Sequence, residues 1–305
     1  MSFQVAKTGL MTLIQDYGRY GYAEKGLSQS GVADEHAFCW ANYLLDNHFN
    51  DAVLEICFGG IELKALSSSY IAVTGADLGF KINGVSQSLW QVIKVNKGDV
   101  LSWSRLIKDR GFRAYLAVKG GVKSALIFNS RSVNARENIG KLVKEGEIIP
   151  FDTHSHDIDK RCVPEMYIAD YKQDLVLHLI ACYQYDQFTE QQKAVFFGED
   201  YQIDPASDRI GCRLIGQKIE QVPEQMISEG ISYGSVEITH EGLPIILLKD
   251  RPSIGGYPKI GTVFSLDLAK LAQRQATSSV RFRLISLVEA QKKRKEFNAF
   301  FGMQL

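Results

Sequence analysis

Ser235 to Asp250 reads SVEITHEGLPIILLKD. Val236 and Ile238 alternate with polar Ser235, Glu237 and Thr239, a glycine follows at 242, and a second apolar run begins at Leu243. Alternation with a period of two, broken by a glycine, reads as a strand, a turn and a second strand. The same pattern recurs in SYIAVTGADLGFKING, QVIKVNKGDVLSWS, GFRAYLAVKGGV and SVRFRLISL, with Gly84, Gly98 and Gly111 among the separators. Such spacing predicts antiparallel barrels or sandwiches rather than βαβ units. The chain is expected to be mainly β with a few helices.

Helical patterns are few. In DEHAFCWANYLLDN, Ala37, Trp40, Ala41, Leu44 and Leu45 share a face and Asp34 stands where an N-cap belongs. TEQQKAVFF with Thr189 as cap, DLAKLAQRQ, and the basic tail LVEAQKKRKEFNAFF are the others, the tail's charges reading as a solvated face. The polar stretch Pro150 to Pro164 carries two prolines and little periodicity, so a domain boundary is expected there, giving units 1–155 and 156–305.

With 305 residues there is room for two modest domains, each with a buried core. Lys plus Arg and Asp plus Glu both number 35, so no global field draws in nucleic acid or an anionic membrane, and small-molecule or protein partners fit better. The five cysteines are scattered, odd in number and without C-x-x-C spacing, which argues against a zinc site or a disulfide framework. They are expected to be reduced and mostly buried. No stretch approaches 18 apolar residues and no signal sequence is evident, so a cytoplasmic protein is expected. His154 and His156 are two apart with no third ligand in view and read as loop residues, so no metal is expected.

Three segments gather polar chemistry. Gln15, Asp16, Arg19, Ser30 and Asp34 fall in one glycine-punctuated stretch. It reads either as a loop leading to a capped helix or, through backbone N–H groups near Ser30 and Gly31, as a site for an anion or oxyanion. ASDRIGCRLIG places Ser207, Asp208, Arg209 and Arg213 around Gly211, and arginine's planar fork suits a carboxylate or carbamoyl group. KDRPSIGGYPKIGT adds Asp250, Arg251, Tyr257 and Lys259 around Gly255 and Gly256, a glycine pair that permits positive φ and close approach of backbone to a ligand. Walker A, G-x-S-x-G and H-E-x-x-H patterns are missing, so neither a standard serine hydrolase nor a zinc peptidase is indicated.

In order and spacing, TLIQDYGRYGYAEKGLSQSGVADEHAFCWAN, AVLEICFGGIEL, VTGADL, GFRAYLAVKGGV, SRS, SDRIGCRLIG, EGISYGSVEI and DRPSIGGYPKIGTVFSLDLAKLAQ resemble the allophanate-hydrolase-subunit-2 family, also called urea-amidolyase-related or biotin-dependent carboxylase-like. That family includes the C-subunit of bacterial 5-oxoprolinase and KipA-type antagonists. The resemblance implies two cyclophilin-like β-barrel units packed together, a separately encoded or fused subunit-1 (KipI-like) partner, and in 5-oxoprolinase a third subunit of the lactam-utilisation type. It further implies ATP-dependent opening of 5-oxoproline to glutamate, ATP belonging to the complex if not to this chain. A lactam amide is a poor electrophile, so activation of its oxygen by phosphorylation calls for cations and N–H donors where negative charge develops.

Carried onto this sequence, the resemblance implies catalytic roles for Asp16, Arg19, Arg209, Asp250 and Lys259. Substrate contacts are implied for Gln15, Ser30, Asp34, Glu55, Arg131, Ser207, Gly255, Gly256 and Tyr257. Two other activities within the family are carboxyl transfer from carboxybiotin to a urea-like acceptor and non-catalytic sequestration of a KipI-like protein. The chain has no Met-Lys-Met carrier sequence, so biotin is not expected to be attached to it. It departs from the family pattern at Cys182-Tyr183-Gln184 for Pro-Gly-Pro, Glu237 for Gln, Pro252 and Ser253 for Gln and Thr, and Asn129 and Val133 for Gly and Thr.

Overall fold

A computed structural model describes residues 1–105, 107, 109–152, 157–220 and 227–303. His154 and His156 lie outside the described residues. Contacts divide the chain into two units, Met1–Arg19 with Ser30–Lys172, and Tyr20–Gln29 with Gln173–Leu305. The expected division at 155/156 did not anticipate that the short segment Tyr20–Gln29 groups with the C-terminal half.

The first unit pairs its strands into two sheets. One runs Ile148–Pro150, Ser2–Lys7, Glu62–Ala65, Val100–Ser102, Lys81–Ile82, Val85–Ser86; the other runs Met11–Gln15, Val53–Cys57, Arg113–Val118, Ser69–Gly75, Val92–Val95. Residues from both sheets, among them Phe3, Leu63, Leu101 and Trp103 from one side and Ile56, Ile71, Val73 and Leu116 from the other, form a single apolar core. Val53–Cys57 and Ser69–Gly75 are buried at every position, which marks them as interior strands covered on both faces. The helix Glu35–Leu44 covers this second sheet, and its buried residues include Ala37, Phe38, Trp40, Ala41 and Leu44. Asp34 caps it by accepting a hydrogen bond from the Ala37 N–H.

The second unit is a closed barrel of seven strands in the order Leu175–Ala181, Lys259–Val263, Ser235–Ile238, Pro244–Leu247, Gly211–Ile215, Tyr201–Ile203, Ser279–Leu284. The mainly β character matches the sequence reading, but closure into a barrel is a property of this unit, whereas the first keeps two separate sheets. Closure is made by a parallel pairing of Leu175–Ala181 with Ser279–Leu284, against the antiparallel expectation. Leu177, Leu179, Val236, Ile246, Phe196, Tyr201 and Phe282 fill the interior. The helix Glu190–Gly198 begins in a full capping box between Thr189 and Gln192, and Leu287–Phe300 is capped by Ser286.

The separator glycines do what their positions required. Gly84, Gly98, Gly111 and Gly242 all adopt positive φ. At Gly242 the angle is +77° and a Cβ would lie 2.5 Å from the carbonyl oxygen of Ile219. Gly242→Ala therefore meets both backbone strain and a clash with a backbone atom, and is expected to lower stability by about 2–3 kcal/mol in urea unfolding. Cys39, Cys57 and Cys212 are buried, Cys182 is half-buried and Cys162 is exposed. No described helix is long and apolar enough to cross a membrane.

Candidate functional site

The residues picked out from sequence fall into two groups, one in each unit. In the first, the strand Met11–Gln15 is followed by Asp16, which is buried. Its Oδ1 accepts from the Gly18 N–H at 3.0 Å and the hydroxyls of Ser130 at 2.6 Å and Ser132 at 2.5 Å; its Oδ2 accepts from the Arg131 N–H at 2.6 Å. Arg19 donates to the Ser132 carbonyl, Arg131 to the Ser124 carbonyl, and Gln15 Nε2 to the Val133 carbonyl at 2.9 Å. A carboxylate surrounded by four donors ties the 130–132 loop to the end of this strand.

Beside it, Glu55 is fully buried on an interior strand. Its Oε2 accepts from the Ala33 N–H and the Tyr115 hydroxyl, both at 2.8 Å, and Arg113 Nε lies 3.8 Å from Oε1. The Tyr115 hydroxyl in turn accepts from the Asp34 N–H at 2.8 Å, and burial pushes that phenol well above its ordinary pKa. Ser30 has φ +53° and its hydroxyl accepts from Asn134 Nδ2 at 3.1 Å. The N–H groups of Ala33, Asp34 and Ala37 are thus taken by Glu55, Tyr115 and the Asp34 side chain. These three donors at the start of the helix are committed within the unit.

In the barrel unit, Arg209 precedes the strand Gly211–Ile215 and Asp250 follows Pro244–Leu247, two strands that pair with Gly211 opposite Leu247. The ladder runs on past the strand ends through Leu248 N–H to Ile210 O and Asp250 N–H to Arg209 O, both 2.8 Å. This brings the side chains face to face: Arg209 Nε to Asp250 Oδ2 at 2.9 Å and Nη2 to Oδ1 at 3.3 Å, a forked pair with 10% and 9% of the two side chains exposed. Ser207 is a turn residue, its hydroxyl accepting from the Arg213 N–H at 3.0 Å. The segment Tyr20–Gln29 joins here, Ser28 donating to the Asp250 carbonyl and Arg251 to Gln29 Oε1, each at 3.4 Å.

Lys259 stands at the centre of a second cluster that sequence reasoning only half found. Its ammonium pairs with Glu229 and lies 5.8 Å from the centroid of the Tyr183 ring. Gln184 Nε2 donates to Glu229 Oε1 at 2.6 Å, Gln184 Oε1 accepts from the Lys259 N–H at 2.6 Å, and the Tyr183 hydroxyl donates to Glu229 Oε2. Glu237 is the direct cross-strand neighbour of Lys259 and is 5% exposed. The hydrogen bonds from Lys259 and Tyr183 hold the Glu229 carboxyl below the ordinary carboxylate range. Burial, with the nearby Glu229 charge, pushes Glu237 up to about 7 although Lys259 opposes it.

Gly255 and Gly256 do not adopt positive φ, contrary to one reason for expecting them. At Gly255 the close approach is to the protein's own side chains: a Cβ would lie 2.3 Å from Ile231 Cδ1 and 2.7 Å from Glu237 Oε1. Tyr257 sets its ring edge-on to His240 with centroids 5.1 Å apart. Glu229, Tyr183, Gln184 and Glu237 were not among the expected site residues. The signal that pointed to three of them was their departure from the family pattern at Cys182-Tyr183-Gln184 and Glu237.

The carboxyltransferase domain, subdomain A and B, matches residues 25–284. The chain belongs to that family. Two relatives match it along nearly their whole length: the 5-oxoprolinase C-subunit of Escherichia coli at 29% identity over 98% of this chain and 96% of the relative, and the 5-oxoprolinase C-subunit of Haemophilus influenzae at 32% over 93% and 91%. Among solved structures, the Kluyveromyces lactis urea amidolyase superposes with a TM-score of 0.88 at 25% identity, covering 97% of this chain but 20% of that one. The match to the carboxyltransferase-domain family takes in the forked Arg209–Asp250 pair and the Lys259 cluster, both inside residues 25–284.

Proposed function

We propose that this chain is a subunit of an ATP-dependent amidohydrolase of the 5-oxoprolinase type, opening 5-oxoproline to glutamate together with a subunit-1 (KipI-like) partner and a third subunit of the lactam-utilisation type. The observation that supports it is length-matched similarity: the two 5-oxoprolinase relatives are covered to 96% and 91% of their own length, whereas the urea amidolyase contains a comparable region as one fifth of a much larger chain. Arg209 and Lys259 supply positive charge suited to an activated amide oxygen, and Glu229 and Asp250 fix where that charge sits. ATP would be used by the complex to make the lactam oxygen a better leaving or electron-accepting group.

The test is reconstitution of the chain with the candidate partner subunits and measurement of glutamate formed from 5-oxoproline with and without ATP. ATP-dependent turnover that disappears when this chain is omitted is the expected result. Tight complex formation with no turnover in the three-subunit mixture would favour a regulatory binding role instead. Carboxyl transfer is the second reading, favoured by the likeness to urea amidolyase over 97% of this chain. It would show as carboxylation of a urea-like acceptor when biotin carboxylase and a biotinylated carrier are supplied.

A further inference from the structure

Gln87, Gln91, Lys94, Lys160, Arg161 and Cys162 are among the residues that line a cavity of about 370 Å³ in the first unit. Small-molecule sites run to roughly 300–1,000 Å³, so the space is large enough for a ligand. The cavity lies at the end of a strand pairing. The strand Val92–Val95 is the last of its sheet, and the segment 161–163 runs antiparallel to its start. Val92 N–H donates to the Arg161 carbonyl and Val163 N–H to the Trp90 carbonyl, both at 2.8 Å. The pairing described ends at Val92 and Arg161, and Lys94 and Lys160, beyond it on either side, line the cavity. We propose that this cavity binds a small anion, a phosphate or carboxylate carried by a molecule that also offers a hydrogen-bond donor. It shares no residue with the groups around Asp16, Arg209 and Lys259 and does not rest on the amidohydrolase reading.

Charge selects the ligand class. Lys94, Lys160 and Arg161 are the charged residues of the lining, and no carboxylate is among them, in a chain whose formal net charge is zero. Positive lining in a concave space concentrates anions there. Two of the cations are held by aspartates that do not line the cavity. Asp46 accepts from Arg161 Nη1 at 2.9 Å and from Nη2, and a guanidinium has further N–H groups for a second acceptor. Asp157 Oδ1 lies 3.6 Å from Lys94 Nζ, which also stands 5.6 Å from the centroid of the Tyr70 ring. Side chains already restricted in this way lose less freedom when a ligand arrives. Lys160 is exposed and has no ion-pair partner among the described residues.

The two glutamines supply the second half of the recognition. Gln87 Nε2 donates to the Val85 carbonyl and Gln91 Nε2 to the Ser88 carbonyl, both at 3.2 Å. With the amide nitrogens committed to their own loop, the Oε1 atoms are the groups left to accept from a ligand N–H or O–H. The lysines are open to water, so the attraction is screened and binding should weaken as salt is raised.

The test uses the full chain with inorganic phosphate, pyrophosphate and succinate as probes. Cys162 is exposed and lines the cavity, whereas Cys39, Cys57 and Cys212 are buried, so alkylation of Cys162 by iodoacetamide, read by peptide mass spectrometry, reports occupancy at this place. At least one probe is expected to slow Cys162 alkylation saturably at constant ionic strength while leaving Cys182 unaffected. Protection by the phosphates alone assigns a phosphate head group, and protection by succinate alone assigns a carboxylate. Lys94→Glu and Lys160→Glu, made singly and checked by thermal melting, are each expected to raise the half-protecting concentration by about tenfold, because a repelling charge replaces an attracting one. Arg161 is left intact, since its loss would strand Asp46. No saturable protection by any probe, or protection unchanged in both folded charge-reversed variants, overturns the proposal.

Discussion

Replacing Arg209 by alanine is expected to destabilise the protein by about 3–5 kcal/mol, read as a fall in the urea midpoint at unchanged slope. The forked pair with Asp250 has only 10% and 9% of its side chains exposed, so removing the guanidinium leaves a carboxylate that water cannot reach to solvate. Asp250→Ala strands the cation instead and is expected to cost a similar amount. The double variant removes both charges, so its loss should be well short of the sum of the two single losses. Equal and additive losses would show that the pair is not coupled. An inactive Arg209→Ala protein therefore reports on chemistry only when measured under conditions where it is shown to be folded.

Glu237→Gln is expected to act in the opposite direction on stability. An acid whose folded-state pKa is raised from 4.5 to about 7 binds its proton more tightly when folded than when unfolded. Its contribution is fully present below about pH 4.5 and is lost as pH rises through about 7, leaving a buried charge above that. The interval corresponds to about 3 kcal/mol. The glutamine form carries no charge to bury, so it should be more stable than the natural protein at pH 8 by about 2–3 kcal/mol and nearly equal to it at pH 5. A stability difference that does not change between pH 5 and pH 8 would show that Glu237 does not titrate in this range.

Much of the scaffold was legible from local pattern. Alternating Val236, Glu237 and Ile238, the turn at Gly242 and the caps at Asp34 and Thr189 are determined by interactions within a few residues, and each appears where the sequence placed it. The forked pair was half visible: Arg209 and Asp250 were both singled out, but nothing local says they meet. The partners of Asp16 and Ser30 were not legible for the same reason. The hydroxyls of Ser130 and Ser132 that fill the Asp16 carboxylate are more than a hundred residues away in sequence, as is Asn134 from Ser30.

Short-range effects thus carried a mainly β chain with capped helices, glycine turns and a family-like order of polar segments, because strand periodicity, capping and backbone freedom act within a few residues. Three outcomes needed the folded chain: the strands of the second unit close by a parallel pairing, Tyr20–Gln29 brings Ser28 to Asp250, and Glu229 rather than Glu237 takes the Lys259 charge. They depend on strand register and burial, which set which distant groups share a low-dielectric space, and a carboxyl's protonation follows from that neighbourhood rather than from its neighbours along the chain.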